Sequence, residues 1–291
     1  MQPTRHRPTS GQQLRGQHVS WPGNAMTVLC DLDGVVWLAG EPIPGSVAAI
    51  ERLRRAGRRV VFVSNSSAPT IAEHTAALAR IGIAADGDVV SSSTAAAELL
   101  HAGERVLVCG GAGVFEAVLA AGAVPFEGDD VEAVADGVDV VIAGLHRTFD
   151  YERLRLATRA IRGGARFVAT NRDPLFPSPG GPVPGGGSIV AAIATASGVE
   201  PETAGKPHSP MVRAVRRLLG DAADPQRLVV VGDQVSTDGL LAAALGCRFA
   251  IVRSGNTGPE VVVDPPADLD GADLAEIVAE LVPATTTLPH G

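Results

Sequence analysis

A chain of 291 residues with 45% hydrophobic and 19% charged side chains has an ordinary globular balance. It is long enough for two domains, or for one core carrying a large insert. A net charge of −8 with no basic cluster argues against a nucleic-acid partner, and no apolar run approaches the ~20 residues of a membrane helix. The three cysteines, Cys30, Cys109 and Cys247, sit in or beside apolar runs without a pairing pattern, so buried thiols in a reducing cytoplasm are expected.

Residues 1–25 are polar, with Arg5, Arg7 and Arg15 but no apolar h-region. A disordered extension is expected there rather than a secretory signal, or else an upstream start with Met26 as the functional one. From Thr27 to Trp37 the chain reads TVLCDLDGVVW. The apolar run predicts a buried, parallel strand, and two carboxylates, Asp31 and Asp33, stand at its end before a turn at Gly34. Ligands of open parallel sheets bind beyond the carboxyl ends of the strands. Alternate residues leaving a strand point the same way, so both acids can face one ligand. Two neighbouring acids repel unless a cation sits between them, which predicts a hard divalent ion such as Mg²⁺.

LAGEPIPG then predicts a short flap. SVAAIERLRRAG predicts a helix with Val47, Ile50 and Leu53 on one face, and RRVVFVSNSS a second buried strand ending in Ser64 and Asn65. Small polar groups and loose backbone N–H groups at such an edge suit an anion, although both residues are also common in plain turns. TIAEHTAALARIGI predicts another helix, and the β-α-β-α order argues a doubly wound parallel sheet. From about Asp86 to Thr203 the alternation restarts: strands in ERVLVC, VDVVIAGL and ARFVAT, helices in GVFEAVLAAGA, YERLRLATRAIRGG and GSIVAAIATASG. The CGGAG turn lacks the full G-x-G-x-x-G dinucleotide fingerprint. The Pro- and Gly-rich loop from Asn171 to Ser188 has the composition of a recognition loop. Asn171, Arg172 and Asp173 are candidates to face a ligand, and Arg172 and Arg147 to pair with a second anionic group on it.

Of the 24 basic residues only Lys206, in AGKPHS, is lysine, the compact point charge that fits a small site. After it come a helix in SPMVRAVRRLLG, a strand ending at Gly232-Asp233, then Asp238 at a helix start, and a last strand in RFAIV. From about Val282 to residue 291 a frayed tail is expected. Three strand ends of one sheet thus carry Asp31/Asp33, Ser64/Asn65 and Asp233/Asp238, with Lys206 between two of them. Acids for a metal, a hydroxyl and an amide for an anion, and one ammonium are the equipment of phosphoryl transfer.

With DLDGVVW, EPIPG, VFVSNSS, ATNRDPLFP…PGGGS, GKP and VGDQVSTD in this order, residues 27 to 260 resemble the haloacid dehalogenase (HAD) phosphatase superfamily, subfamily IIA. Its NagD-like, para-nitrophenyl, phosphoglycolate and glycerol-phosphate phosphatases are the nearest in pattern. The resemblance implies an α/β fold: a Rossmann-like, doubly wound parallel sheet core (26–85 and 204–281) with an inserted α/β cap of the C2 type (86–203). It implies Asp31 as nucleophile, Asp33 as general acid and then base, and Mg²⁺ held by Asp31, the backbone carbonyl of Asp33 and Asp233, with Asp238 ligating the metal through water or orienting Lys206 and the metal shell. It also implies Ser64 and Lys206 on the phosphoryl group, Asn65 where cap and core meet, and a small phosphorylated metabolite as substrate. Three positions depart from the common pattern, Val35, Ser66 and Gly239, and none removes a catalytic atom. A phosphomutase or phosphotransferase shares every core residue. A dehalogenase needs neither Asp33 nor a metal, and a silent binding protein is expected to lose some of these acids. Self-association through the cap is compatible with the pattern without being signalled by it.

Overall fold

The apolar run at the start of the motif-bearing stretch forms β1 (Thr27–Cys30), buried along its whole length. The computed structural model describes residues 26–283 except Pro177 and Pro179. The extension expected at 1–25 and most of the tail expected at 282–291 lie outside the described residues. After β1 a short hairpin, β2 (Trp37–Leu38) and β3 (Glu41–Pro42), leads to α1 (Ser46–Arg55), which buries Ala49, Ile50 and Leu53. β4 (Arg59–Ser64) follows, and then α2 (Ile71–Arg80), whose Thr70 accepts from the Glu73 N–H while Glu73 accepts from the Thr70 N–H. This reciprocal cap fixes the helix start. β5 (Val89–Ser91) and α3 (Ser92–Ala97) complete the first half.

The inserted segment runs β6 (Arg105–Cys109), α4 (Ala112–Ala120), β7 (Val124–Glu127), α5 (Val131–Asp136), β8 (Val140–Ala143), α6 (Tyr151–Arg162) and β9 (Arg166–Ala169). A two-stranded ribbon, β10 (Leu175–Phe176) with β11 (Val183–Pro184), precedes α7 (Gly186–Ser197) and β12 (Glu202–Thr203). The chain then returns through α8 (Ser209–Leu219), β13 (Leu228–Gly232), α9 (Leu240–Leu245), β14 (Arg248–Val252), β15 (Leu269–Gly271) and α10 (Leu274–Leu281).

Two parallel sheets result. The larger has the order β15-β14-β13-β1-β4-β5, the smaller β12-β9-β8-β6-β7. β1 lies between β13 and β4, with Cys30 opposite Val231 and Phe62, so the three strands end within two residues of one another. The residues after those ends, Asp31, Asp233 and the Ser64–Asn65 pair, are therefore neighbours in space although up to about 200 positions apart in sequence. The first sheet buries an apolar layer on each face: Leu29, Val61, Val63 and Val230 on one, Val28, Val60, Phe62 and Val229 on the other. Continuous apolar strands of this kind are what a sheet covered by helices on both faces requires. The expected division at residue 86 falls too early, because Val89–Ser91 is hydrogen-bonded to β4 as the edge of the larger sheet. The DGDVVSS stretch there holds only two apolar residues, too few to signal a strand.

Candidate active site

Lys206 is the centre of the site. Its ammonium lies 2.8 Å from Asp31 Oδ1 and 2.7 Å from Asp238 Oδ1, with the side chain only 2% exposed. Burial opposes its charge, but the carboxylates of Asp238 and Asp31 win, and they hold Lys206 protonated above the ordinary lysine range. A buried ammonium is tolerated when carboxylates pair with it. Its backbone is fixed as well: Lys206 N–H donates to Asn65 Oδ1 at 2.8 Å.

Asp31, Asp233 and Asp238 each present a carboxylate oxygen within 4.8 Å of the others, all three buried. Asp238 is locked by the Gln234 N–H and the Thr237 hydroxyl, both 3.2 Å from Oδ2. It sits in a wide, π-helical turn (Val235–Gly239) ahead of α9 rather than on the first turn of an α-helix. Room for it comes from Gly232, where an added Cβ would lie 2.2 Å from the Asp238 carboxyl carbon. Asp233 is aimed by Asn256, whose backbone N–H (2.6 Å) and side-chain amide (2.8 Å) both donate to Oδ2. Burial first, and then the charge of Asp238, push Asp233 up to about 6. Burial likewise lifts Asp31, against Lys206 and helped by Asp238 and Asp233. Among the described residues, these protein bonds use Oδ1 of Asp31 and Oδ2 of Asp233. Three buried, mutually repelling oxygen donors beside a single ammonium fit a hard divalent cation, and Mg²⁺ in particular.

Asp33 takes a different place from the one expected of a paired carboxylate. Its side chain is not in the three-acid cluster but accepts from the indole N–H of Trp37, 3.0 Å from Oδ1. The backbone explains how Trp37 reaches Asp33. Gly34 sits at φ +83°, a left-handed conformation that only glycine adopts without strain, and the next three N–H groups fold back on the Leu32 carbonyl. Asp31 and Asp33 thus line the same cavity with different partners, Asp31 in the acid cluster and Asp33 beside Trp37. Asp33 too is raised by burial, opposed by the Trp37 bond and by Lys206.

That cavity, about 480 Å³, is shared by both sheets. Asp31, Asp33, Ser64, Lys206 and Asp233 line its floor, while Leu145, Asn171, Asp173 and Phe176 come from the inserted segment. Ser64 Oγ accepts from the Ser66 N–H at 3.0 Å, which leaves its own proton to be donated elsewhere. Asn65 ties the two parts together. Its amide donates to Asp173 at 3.2 Å, and its carbonyl accepts from Asn171 (2.7 Å) and from Ser92 (2.6 Å).

Arg172, expected to face a ligand, does not. It is exposed and pairs with Glu200 at 2.8 Å. Asn171 and Asp173 both turn inward, and the residue between two inward ones on an extended segment points away. Arg147 is also outside the cavity lining, with its guanidinium 6.0 Å over the Phe176 ring. The flap hairpin stands beside Asp33 without lining the cavity. Among the contributors that escaped the sequence reading are Asn256, whose only signal is a Gly-rich turn after a strand of the same sheet, and Trp37.

A family profile described as haloacid dehalogenase-like hydrolase matches residues 28–124, and a HAD-hydrolase-like profile matches residues 203–281. The chain belongs to the haloacid dehalogenase-like hydrolases. Among its relatives are D-glycerol 3-phosphate phosphatase of Mycobacterium tuberculosis (38% identical, 78% of this chain, 63% of that protein) and acid sugar phosphatase of Staphylococcus saprophyticus (31% identical, 89% of this chain, 98% of that protein). The chain thus spans less than two thirds of the mycobacterial enzyme and nearly all of the staphylococcal one. The crystal structure of the glycerol phosphate phosphatase from Mycobacterium tuberculosis in complex with magnesium superposes with a TM-score of 0.77. It is 33% identical, covering 89% of this chain and 78% of that one.

Proposed function

We propose that this chain is a Mg²⁺-dependent phosphomonoesterase that acts on a small phosphorylated metabolite through an aspartyl-phosphate on Asp31. The observation that carries the reading is the buried Asp31–Lys206–Asp238 array with Asp233 at the floor of a 480 Å³ cavity. Asp31, Asp233, Asp238 and the Asp33 carbonyl would hold Mg²⁺, which supplies charge neutralisation between two anions that otherwise repel.

An oxygen of the Asp31 carboxylate attacks phosphorus, the ester P–O bond breaks, and protonated Asp33 gives its proton to the departing oxygen. Asp33, now a carboxylate, takes a proton from a water whose oxygen attacks the same phosphorus. Phosphate is released and the Asp31 carboxylate restored. Ser64 donates its free hydroxyl proton, and Lys206 its charge, to the phosphoryl oxygens. The inserted segment acts as a cap that admits the leaving group, with Asn171, Asp173 and Phe176 facing it. Arg172, turned outward, has no part. Relatives named for glycerol phosphate and acid sugar phosphates support polyol and sugar phosphates as the first substrates to try. Three unpaired, mostly buried thiols support a reducing, cytoplasmic setting, and among the described residues no helix is long and apolar enough to cross a membrane.

The test is phosphate release from para-nitrophenyl phosphate and a panel of metabolite esters, with Mg²⁺ or with chelator. Mg²⁺-dependent release is expected; none from a folded protein on any ester would remove the reading.

A further inference from the structure

Trp37 is 7% exposed and belongs by burial to the apolar layer with Leu32, Val35 and Val36. A core aromatic would need nothing more, but an indole carries one N–H that must find an acceptor when buried. Here the acceptor is a carboxylate in the cavity, Asp33 Oδ1 at 3.0 Å, not a backbone carbonyl. The contact is built by the chain itself. The N–H groups of Val35, Val36 and Trp37 all converge on the Leu32 carbonyl, and Gly34 N–H donates to the Trp37 carbonyl at 2.7 Å. This closed loop returns the residue four positions on to the side of Asp33. Trp37 is also the first residue of the hairpin, with Pro42 opposite it.

We infer that Trp37 is a positioning residue for Asp33, its indole N–H fixing one carboxyl oxygen so that the other exchanges the proton with the leaving group. The inference rests on the phosphatase reading above. A carboxyl group turns readily about its last bond, and a single fixed donor removes that freedom. The second oxygen of this cavity-lining residue is then the one that carries the proton to the ester oxygen. A donor to a carboxylate also favours the state left after the proton has gone, so the bond assists delivery itself.

The consequence depends on the leaving group. An alkoxide leaves from phosphorus only as it is protonated, whereas para-nitrophenolate leaves without help. The test uses Trp37→Phe, which keeps the aromatic volume and removes the N–H. Its kcat/KM is measured on para-nitrophenyl phosphate and on the best alkyl phosphate of a metabolite panel, together with inhibition by inorganic phosphate. Loss of a hydrogen bond to a charged group predicts a fall of about 10- to 100-fold on the alkyl ester. On the aryl ester the fall is expected to stay within about threefold, and inhibition by phosphate within about twofold of wild type. Equal losses on both esters, or weakened phosphate inhibition alongside them, would mean that Trp37 only packs the site and would overturn the inference. Absence of Mg²⁺-dependent turnover in the wild type would instead remove the phosphatase reading, so the two failures are distinguishable. Should Trp37→Phe fold poorly, biosynthetic replacement by benzothienylalanine in a Trp21→Phe background exchanges the indole N–H for sulfur with the ring shape kept. The same split between esters is then expected, and its absence would refute the assignment.

Discussion

Replacing Lys206 by Met removes the one positive charge among three buried carboxylates and keeps most of the side-chain volume. Its ammonium is 2.8 Å from Asp31 and 2.7 Å from Asp238, with 2% of the side chain exposed, so solvent cannot take its place. Breaking a buried ion pair by removing one partner costs about 3–5 kcal/mol, because the remaining charge is left uncompensated. At about 2–4 °C per kcal/mol for a chain of this size, the metal-free variant is expected to melt roughly 6–20 °C below wild type. The deficit also has a pH dependence. Burial already raises Asp31 and Asp233 in the folded state. A carboxyl group with a raised folded-state pKa contributes stability below its unfolded value, and that contribution is lost as pH rises through the folded one. Without Lys206 the acids hold their protons more tightly still, so the gap to wild type is small near pH 5 and widens towards pH 8. Mg²⁺ reverses the order: with one positive charge gone, affinity for the divalent ion is expected to rise at least about tenfold, while turnover collapses. Thermal unfolding at several pH values with chelator, and calorimetric titration with Mg²⁺, read all three effects. An unchanged melting temperature in chelator, or weaker Mg²⁺ binding, would refute the electrostatic account of the site.

The remaining expectations are narrower. In the metal-free wild type, Asp233 contributes stability below its ordinary value of 3.8 that is lost as pH rises through about 6. Mg²⁺ takes the ionised form, so the Mg²⁺-induced rise in melting temperature is expected to grow from about pH 5 to about pH 7; a constant rise would contradict this. Arg172→Ala removes an exposed ion pair with Glu200 and should cost under about 1 kcal/mol, with kcat/KM within twofold of wild type. A tenfold loss on any metabolite ester would return Arg172 to the site. Gly34→Ala places a methyl group 2.5 Å from Asp233 Oδ2 in a backbone at φ +83° and should lower Mg²⁺ affinity at least about tenfold. Gly40→Ala, strained alike at φ +88° but with open space around it, should leave Mg²⁺ affinity unchanged and serves as the control.

The larger sheet was readable because its strands are continuous apolar runs, as in Val60–Val63 and Val229–Val231, and the inserted segment because its longer helices carry a clear stripe, such as Leu156, Ala157, Ala160 and Ile161 in α6. α3 was not, since SSTAAA has no apolar period and owes its helix to the Ser91–Thr94 cap. α10 carries a readable stripe, Leu274, Ile277, Val278 and Leu281, that the sequence reading leaves out. At the site, acids at strand ends announce themselves by position alone. The facing of Arg172 does not, because it depends on which neighbours have already turned inward. Nor does the pairing of Asp33 with Trp37, which depends on the left-handed glycine between them. Asn256 and Trp37 act by donating hydrogen bonds to acids, and their residue types are too common in turns and cores to mark that role.

The central claim is that Asp31 becomes phosphorylated. Rapid acid quench of the enzyme with Mg²⁺ and ³²P-labelled substrate, followed by peptide mapping, tests it directly. The account predicts a transient phosphoryl-enzyme whose label maps to the peptide containing Asp31, absent in Asp31→Asn and absent with chelator. Turnover with no labelled enzyme, or label on any other residue, would contradict it.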